Sequence, residues 1–212
     1  MKHIILIILF AGSLVPVPAA HIRNYFKECP DIFFPMLTHN NKLDLLDFMD
    51  SKMDAVVKNI YGEQTRLLKL TDDYLKIKTS ASSQTEMKLL PMGRDTLLCI
   101  VKTLWLPEPE SEVSIVAAAT MKPVAKLEKY LVMPAAREFY IIPEGCTRQE
   151  LEHAVSKMDV PMVSASLDED DMLIRFVLSS TGGFVEDREE ITPFVRNEIV
   201  ARWNGKKFVR TR

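Results

Sequence analysis

At 212 residues, with 26% charged side chains and a formal net charge of −2, the chain is long enough to bury a real core and too evenly charged to be a solvated tail. Its mild acidity gives no electrostatic reason to bind nucleic acid. Three cysteines without a Cys-x-x-Cys pair exclude a disulfide scaffold, a redox pair and a zinc knuckle.

The chain opens with the pattern of an export signal. Lys2 supplies a short positive start, Ile4 to Phe10 is unbroken hydrocarbon, and Pro16, Val17, Pro18, Ala19 and Ala20 close the stretch. Val17 and Ala19 occupy the minus-three and minus-one positions for a cut after Ala19, and a cut after Ala20 is the alternative. The apolar stretch falls short of the roughly 20 residues that span a bilayer. Residues 1–20 are therefore expected to be a cleaved leader, and residues 21–212 the mature, periplasmic or secreted domain, with no membrane span. A lipoprotein would need a cysteine directly after the apolar region. The first is Cys29, behind Lys27 and Glu28, so no lipid anchor is expected.

Residues 30–41 read as a linker and cap region, marked by Pro30, Pro35, Asn40 and Asn41. A helix should follow, because Leu46, Met49, Met53, Val56 or Val57, and Ile60 recur at helical spacing; it has a break point near Ser51 and a natural stop at Gly62. The period then shortens. Arg66–Leu70 and Tyr74–Thr79 read as a hairpin around Thr71-Asp72-Asp73. Glu86–Leu90 and Thr96–Leu104 follow as strands split by Pro91-Met-Gly93; a loop runs from Pro107 to Ser111, and Val113–Thr120 is a fifth strand. One helix followed by strands in sequence predicts an antiparallel meander.

Residues 121–137 are ambiguous; Pro123 is a candidate helix start, with Val124, Leu127 and Leu131 on one face, and Phe139–Ile142 is strand-like. Thr147 and Glu150 then spell a capping box, with Cys146 and Leu151 at the positions of a hydrophobic staple, so a helix is expected over about 148–158. Met162–Leu167, Met172–Ser179 and Ile191–Val195 read as strands. Ile199–Trp203 and Lys207–Arg210 read as a hairpin across Asn204-Gly205, expected to be a type I′ turn that pairs Trp203 with Lys206 and Ala201 with Phe208. That register places Trp203, Ala201 and Phe208 on the core face.

The expected fold class is α+β, mainly antiparallel sheet with two principal helices. The two halves echo each other: Leu70-Thr-Asp-Asp-Tyr-Leu-Lys-Ile beside Leu167-Asp-Glu-Asp-Asp-Met-Leu-Ile. This leaves open two related subdomains, at about 21–120 and 138–212, joined by an irregular segment.

Chemistry-bearing motifs are sparse. His21, His39 and His153 make no ligand spacing, and there is no Gly-x-Ser-x-Gly, phosphate loop or His-Glu-x-x-His. Asp168-Glu-Asp-Asp171 carries the oxygens a hard cation needs, but lacks the glycine and distal glutamate of an EF-hand, so it reads as a hairpin turn. Asp72-Asp73 is a smaller case, and Asp187, Glu189 and Glu190 read as a solvated face. Ser180-Thr-Gly-Gly183 lacks the lysine and helix of a phosphate cradle. Arg202, Lys206, Lys207, Arg210 and Arg212 read as edge-strand protection. Cys99 reads as a small buried hydrophobe, and Cys146 as part of the staple. No catalytic, cofactor-binding or metal-ligating residue is assigned.

Pro30-Asp31, Met36-Leu-Thr-His-Asn-Asn-Lys-Leu-Asp44, Asp47-Phe-Met-Asp-Ser51, Leu70-Thr-Asp-Asp-Tyr-Leu75 and Glu86-Met-Lys-Leu-Leu-Pro91 resemble a secreted family confined to Bacteroidales, domain of unknown function 3256. The resemblance implies a Gram-negative envelope setting and brings no activity or site residue with it. Two functions follow as expectations. The first is a non-enzymatic envelope module that binds a protein or another envelope ligand. The alternative is an envelope hydrolase whose carboxylates converge from distant strands.

Overall fold

The computed structural model describes residues 21–180 and 185–211. The expected leader, the Thr181-Gly-Gly183 part of the serine-rich turn, and Arg212 lie outside them. The fold is α+β in three layers. Seven antiparallel strands form a sheet in strict sequence order: β1 (Val56–Lys58), β2 (Gln64–Leu70), β3 (Tyr74–Ser80), β4 (Ser83–Met92), β5 (Asp95–Trp105), β6 (Pro109–Ala117) and β7 (Lys122–Pro123). Helices α1 (Ile22–Glu28) and α2 (His39–Asp50) cover one face. A four-stranded antiparallel sheet covers part of the other: β8 (Pro161–Leu167), β9 (Leu173–Ser180), β10 (Ile199–Trp203) and β11 (Phe208–Arg210), in the order β11-β10-β9-β8. Helix α3 (Arg148–Ser156) precedes β8, and α4 (Val185–Ile191) lies between β9 and β10.

The layers follow from the composition of the central strands. β5 reads Leu97-Leu-Cys-Ile-Val101, apolar at every position, which is the pattern of a strand buried on both faces. Successive side chains alternate in direction. Leu98 and Ile100 join the helix-side core with Phe26, Phe34 and Leu45; Leu97, Cys99 and Val101 join the core between the sheets with Phe139, Phe176 and Trp203. Cys99 is fully buried there, and its thiol is pushed up by desolvation.

The helix expected to run past Asp50 ends there. Ser51 caps it, Lys52 takes the left-handed position usual for glycine (φ +56°), and the amide of Met53 returns to the carbonyl of Phe48. Val56 and Val57 belong instead to β1, and Ile60 to the turn after it. Three residues of strand are too few to show a period, so the helical spacing ran across the boundary. The linker expected at 30–41 also ends earlier. Thr38 caps α2 through a box with Asn41, which places His39 in the helix's first turn, still exposed.

Pro123 begins no helix; it pairs with Val116 in β7, and a 3-10 turn follows at Leu127–Lys129. Phe139–Ile142 forms a single bridge, Tyr140 with Val195, and Ile191–Val195 is the end of α4 and a 3-10 turn. β4 runs through Pro91 to Met92, and the missing amide of Pro91 costs nothing because β3 begins only opposite Lys88. Thr147 and Glu150 form the capping box that opens α3.

The C-terminal hairpin forms with a different turn. Trp203 pairs with Phe208, and Ala201 with Arg210, so the loop spans four residues. The side chain of Asn204 accepts the amides of Lys206 and Lys207, and Gly205 carries the positive φ of +87°. Asn204 has no positive φ, which excludes type I′. A slip of two residues preserves which face each side chain takes. Ala201, Trp203 and Phe208 are buried accordingly, and the indole N–H of Trp203 donates to the carbonyl of Pro91.

Phe208→Ala should therefore cost about 3–5 kcal/mol by emptying a site against the Trp203 ring, whereas Lys207→Ala should cost under about 0.5 kcal/mol. Denaturant midpoints of the two variants test the assignment of the core face.

Candidate functional site

A meander sends alternate turns to opposite ends of its sheet. The β2–β3, β4–β5 and β6–β7 turns meet at one end, where α1 crosses. Between them opens a cleft of about 820 Å³. Its floor is small: Ala117, Ala118 and Ala119 carry nothing beyond Cβ. Its walls are Tyr25 of α1, Met92, Leu97, Met121, Val124 and Tyr130, and its rim carries His21, Glu28, Arg94 and Asp95.

Backbone hydrogen bonds fix each wall. The amide of Ile22 donates to the carbonyl of Asp72, with the His21 ring 3.3 Å from the Asp72 carboxylate, which anchors α1 on the β2–β3 turn. The amide of Ala118 donates to Thr96, and that of Met121 to Ala117 at 2.8 Å. Tyr130 is held from behind, its carbonyl accepting the amide of Phe208 at 2.7 Å. Met121 takes the left-handed last position of the β6–β7 loop, φ +52°, and lines the cleft wall. Aromatic rings, flexible thioethers and a few polar groups around a concavity are the usual lining of a ligand site.

A second group of polar residues lies under the β8–β9 turn and holds the two sheets together. The Glu86 carboxylate is buried. It accepts the amide of Leu167 at 2.6 Å, and lies 3.1 Å from Lys76 and 3.0 Å from the amide of Gln84. Two residues along β4, buried Lys88 donates to the carbonyl of Glu169 at 2.6 Å and pairs with Asp73 at 3.0 Å. The phenol of Tyr74 beside them is pushed up by burial first and by Glu86 next.

The acidic turn Asp168–Asp171 thus has partners for three of its carboxylates. Asp168 pairs with Arg175 and accepts the amides of Asp170 and Asp171, Glu169 pairs with Lys69, and Asp171 pairs with Arg202. The turn is a clasp between the sheets, and among the described residues no three His, Cys, Asp or Glu side chains gather to hold a metal.

The remaining sequence candidates are scattered. His39 and His153 are exposed on separate helices. In the basic chain end, Arg202 and Arg210 pair with Asp171 and Glu138 while Lys206 and Lys207 form the exposed turn. The cysteines are unpaired. The thiol of Cys29 is pushed up to about 11 by burial, against the opposing pull of Lys42, so it is no thiolate nucleophile. The carboxylates displaced from their ordinary range move downward, each through a structural partner: Glu138 by Arg210, Glu150 by its cap, Asp168 by turn amides, Glu190 by Lys157. None of these four is poised as a general acid. The cleft itself escaped sequence reasoning, because its elements lie up to about a hundred residues apart. Its one local mark is the Ala117-Ala-Ala119 run, which as a sequence merely continues a strand.

The chain belongs to the family described as "Protein of unknown function (DUF3256)", whose profile matches residues 14–208. No curated protein matches it. Among solved structures it is similar to a domain of an uncharacterized protein from Porphyromonas gingivalis W83, at 20% identity and a TM-score of 0.75, over 90% of this chain and 98% of that one. At that identity the likeness is one of fold. Among the described residues no helix is long and apolar enough to cross a membrane.

Glu86→Ala should destabilise the protein by about 3 kcal/mol, because the buried amide of Leu167 loses its acceptor and Lys76 its counter-charge; a denaturant melt measures it. Glu138 is held down to about 2 from 4.5, first by its hydrogen bond to Arg210 and next by the Ala135 amide. A depressed acid contributes fully above its unfolded pKa and loses that contribution as pH falls through the folded one. The Glu138 contribution should therefore fade between about 4.5 and about 2. Arg210→Gln should move the Glu138 titration upward, as seen by carboxyl NMR.

Proposed function

We propose that this protein is an exported envelope module that binds a ligand in the cleft between α1 and the β4–β5 and β6–β7 turns. One observation carries the reading: an alanine floor, two tyrosines and two methionines converge on one concavity. The wall chemistry suits a ligand with an apolar body. Arg94 and His21 beside Asp95 and Glu28 suit a ligand end that carries polar groups of either sign. The export pattern at residues 1–20 and the Bacteroidales source of the similar structure support an envelope setting.

Ala119→Trp tests the proposal. Ala119 is exposed and lines the cleft, so an indole there should fill the concavity with little effect on the fold. An envelope component retained by the immobilised wild-type protein should be lost with Ala119→Trp at an unchanged melting temperature. Equal retention by both would remove the cleft from the function. N-terminal sequencing of the protein from its native envelope should start at Ala20 or His21, and an intact Met1 would refute the export.

A further inference from the structure

The four-stranded sheet is too narrow to cover the seven-stranded one. Its neighbours are β4, β5 and β6; the same face stays open on β1, on β2 up to Lys69 and on β3 beyond Tyr74, which is buried between the sheets. On that open face the alternation of side chains sets out Val56 and Lys58, Gln64, Arg66 and Leu68, and Lys76 and Lys78; their neighbours Val57, Leu67 and Ile77 point to the helix-side core.

The register puts like charges face to face. Arg66 is directly opposite Lys78, and Lys69 directly opposite Lys76. Cross-strand pairs of like charge are destabilising. Three of these four cations are compensated from elsewhere: Lys69 by Glu169, Lys76 by Glu86, Arg66 by Asp54. Lys78 has no acidic partner among the described residues, and neither has Lys58, one step diagonally from Arg66. Lysine on β1 is ordinary protection of an edge strand. Arg66 and Lys78 are on the second and third strands, where no edge needs protecting. Lys78 therefore sits uncompensated opposite another cation on an interior strand, a local conflict of the kind that accompanies functional sites.

We propose that this face is a second binding site, separate from the cleft, and that its occupant is an acidic polysaccharide lying across β1–β3. Lys78 lies directly across from Arg66 and Lys58 on the diagonal from it, about 7–8 Å away, and the two uncompensated lysines, Lys58 and Lys78, meet carboxylates along the polymer. The amide of Gln64, opposite Lys58, meets a hydroxyl group. Tyr61, 69% exposed in the β1–β2 turn, supplies a ring face for a sugar. That turn is fixed from within, because the buried side chain of Asn59 accepts the amides of Tyr61 and Glu63 and donates to the carbonyl of Thr79.

The test is fluorescence anisotropy of the full chain with a labelled oligogalacturonate. Inorganic polyphosphate, neutral dextran and phosphatidylglycerol vesicles serve as separate probes. Oligogalacturonate should bind at low ionic strength and weaken as salt is added. The double variant Lys58→Gln/Lys78→Gln should lose at least about tenfold in affinity, the effect of removing two charged contacts. Tyr61→Ala should weaken the oligogalacturonate and leave polyphosphate unchanged. Lys78→Gln should also raise the melting temperature, because it relieves the repulsion with Arg66; a lysine kept for stability would lower it on removal. The proposal is overturned by absent binding at low salt, by undiminished binding in the double variant, by binding of polyphosphate or vesicles alone, or by a lowered melting temperature for Lys78→Gln.

Discussion

Burial of β5 on both faces is the constraint from which the architecture follows. A strand reading Leu97-Leu-Cys-Ile-Val101 has no face to give to water, so the sheet it belongs to must be covered twice. The chain supplies one cover from each side of the meander in sequence. α1 and α2 precede the seven strands and pack on Leu98 and Ile100, and β8–β11 follow them and pack on Leu97, Cys99 and Val101. Neither cover has a large core of its own. Each is completed by residues of the central sheet, which is why Phe26 and Phe176, distant in sequence, are both fully buried on either side of the same strands.

Hydrophobic burial between two sheets is indifferent to small slides, and the polar clasp removes that freedom. Glu86 meets one backbone amide, that of Leu167, and Lys88 one carbonyl, that of Glu169. Both come from β4, two residues apart on the same face, and their targets are two residues apart on the second sheet. Shifting the second sheet by one residue would break both hydrogen bonds and leave Glu86 and Lys88 with only their partners on the central sheet, Lys76 and Asp73. The charges thus contribute more to fixing one arrangement than to net stability. The acidic run at Asp168–Asp171 belongs to this clasp.

The fold class and most of the meander were legible because β2 to β6 are long enough to show their period and are bounded by strong turn residues. The capping box of Thr147 and Glu150 was legible because its chemistry lies within four residues. The failures share one cause. β1 has three residues, β7 two, and the stretches at Phe139 and Ile191 are held by contacts from far along the chain, so local pattern gave the wrong element or the wrong boundary. The C-terminal hairpin shows which information survives such errors. Asn204-Gly205 suggested a two-residue loop, the structure has four, and the core face was still right because the error was an even number of residues. The cleft and the open cationic face were illegible because both are made by register and by the meeting of turns, which no segment of sequence displays alone.

Both sites trace back to the mismatch between the layers. Seven strands in strict order give the central sheet two ends and two flanks, and a four-stranded partner with two short helices cannot close them all. At one end the covers stop short of the β4–β5 and β6–β7 turns, and the gap is lined by the apolar residues that would otherwise have been core: Met92, Met121, Val124 and Tyr130. On the β1–β3 flank the second sheet reaches only Tyr74 and Lys69, so the strands beyond them must be polar on that face. Polarity could have been met by serine, threonine or alternating charge, as Thr103 and Ser111 do where β5 meets β6. The flank instead places arginine against lysine and lysine against lysine. Acidic partners offset most of that repulsion, Glu169 for Lys69, Glu86 for Lys76 and Asp54 for Arg66, and leave Lys78 as the cation whose repulsion is not offset.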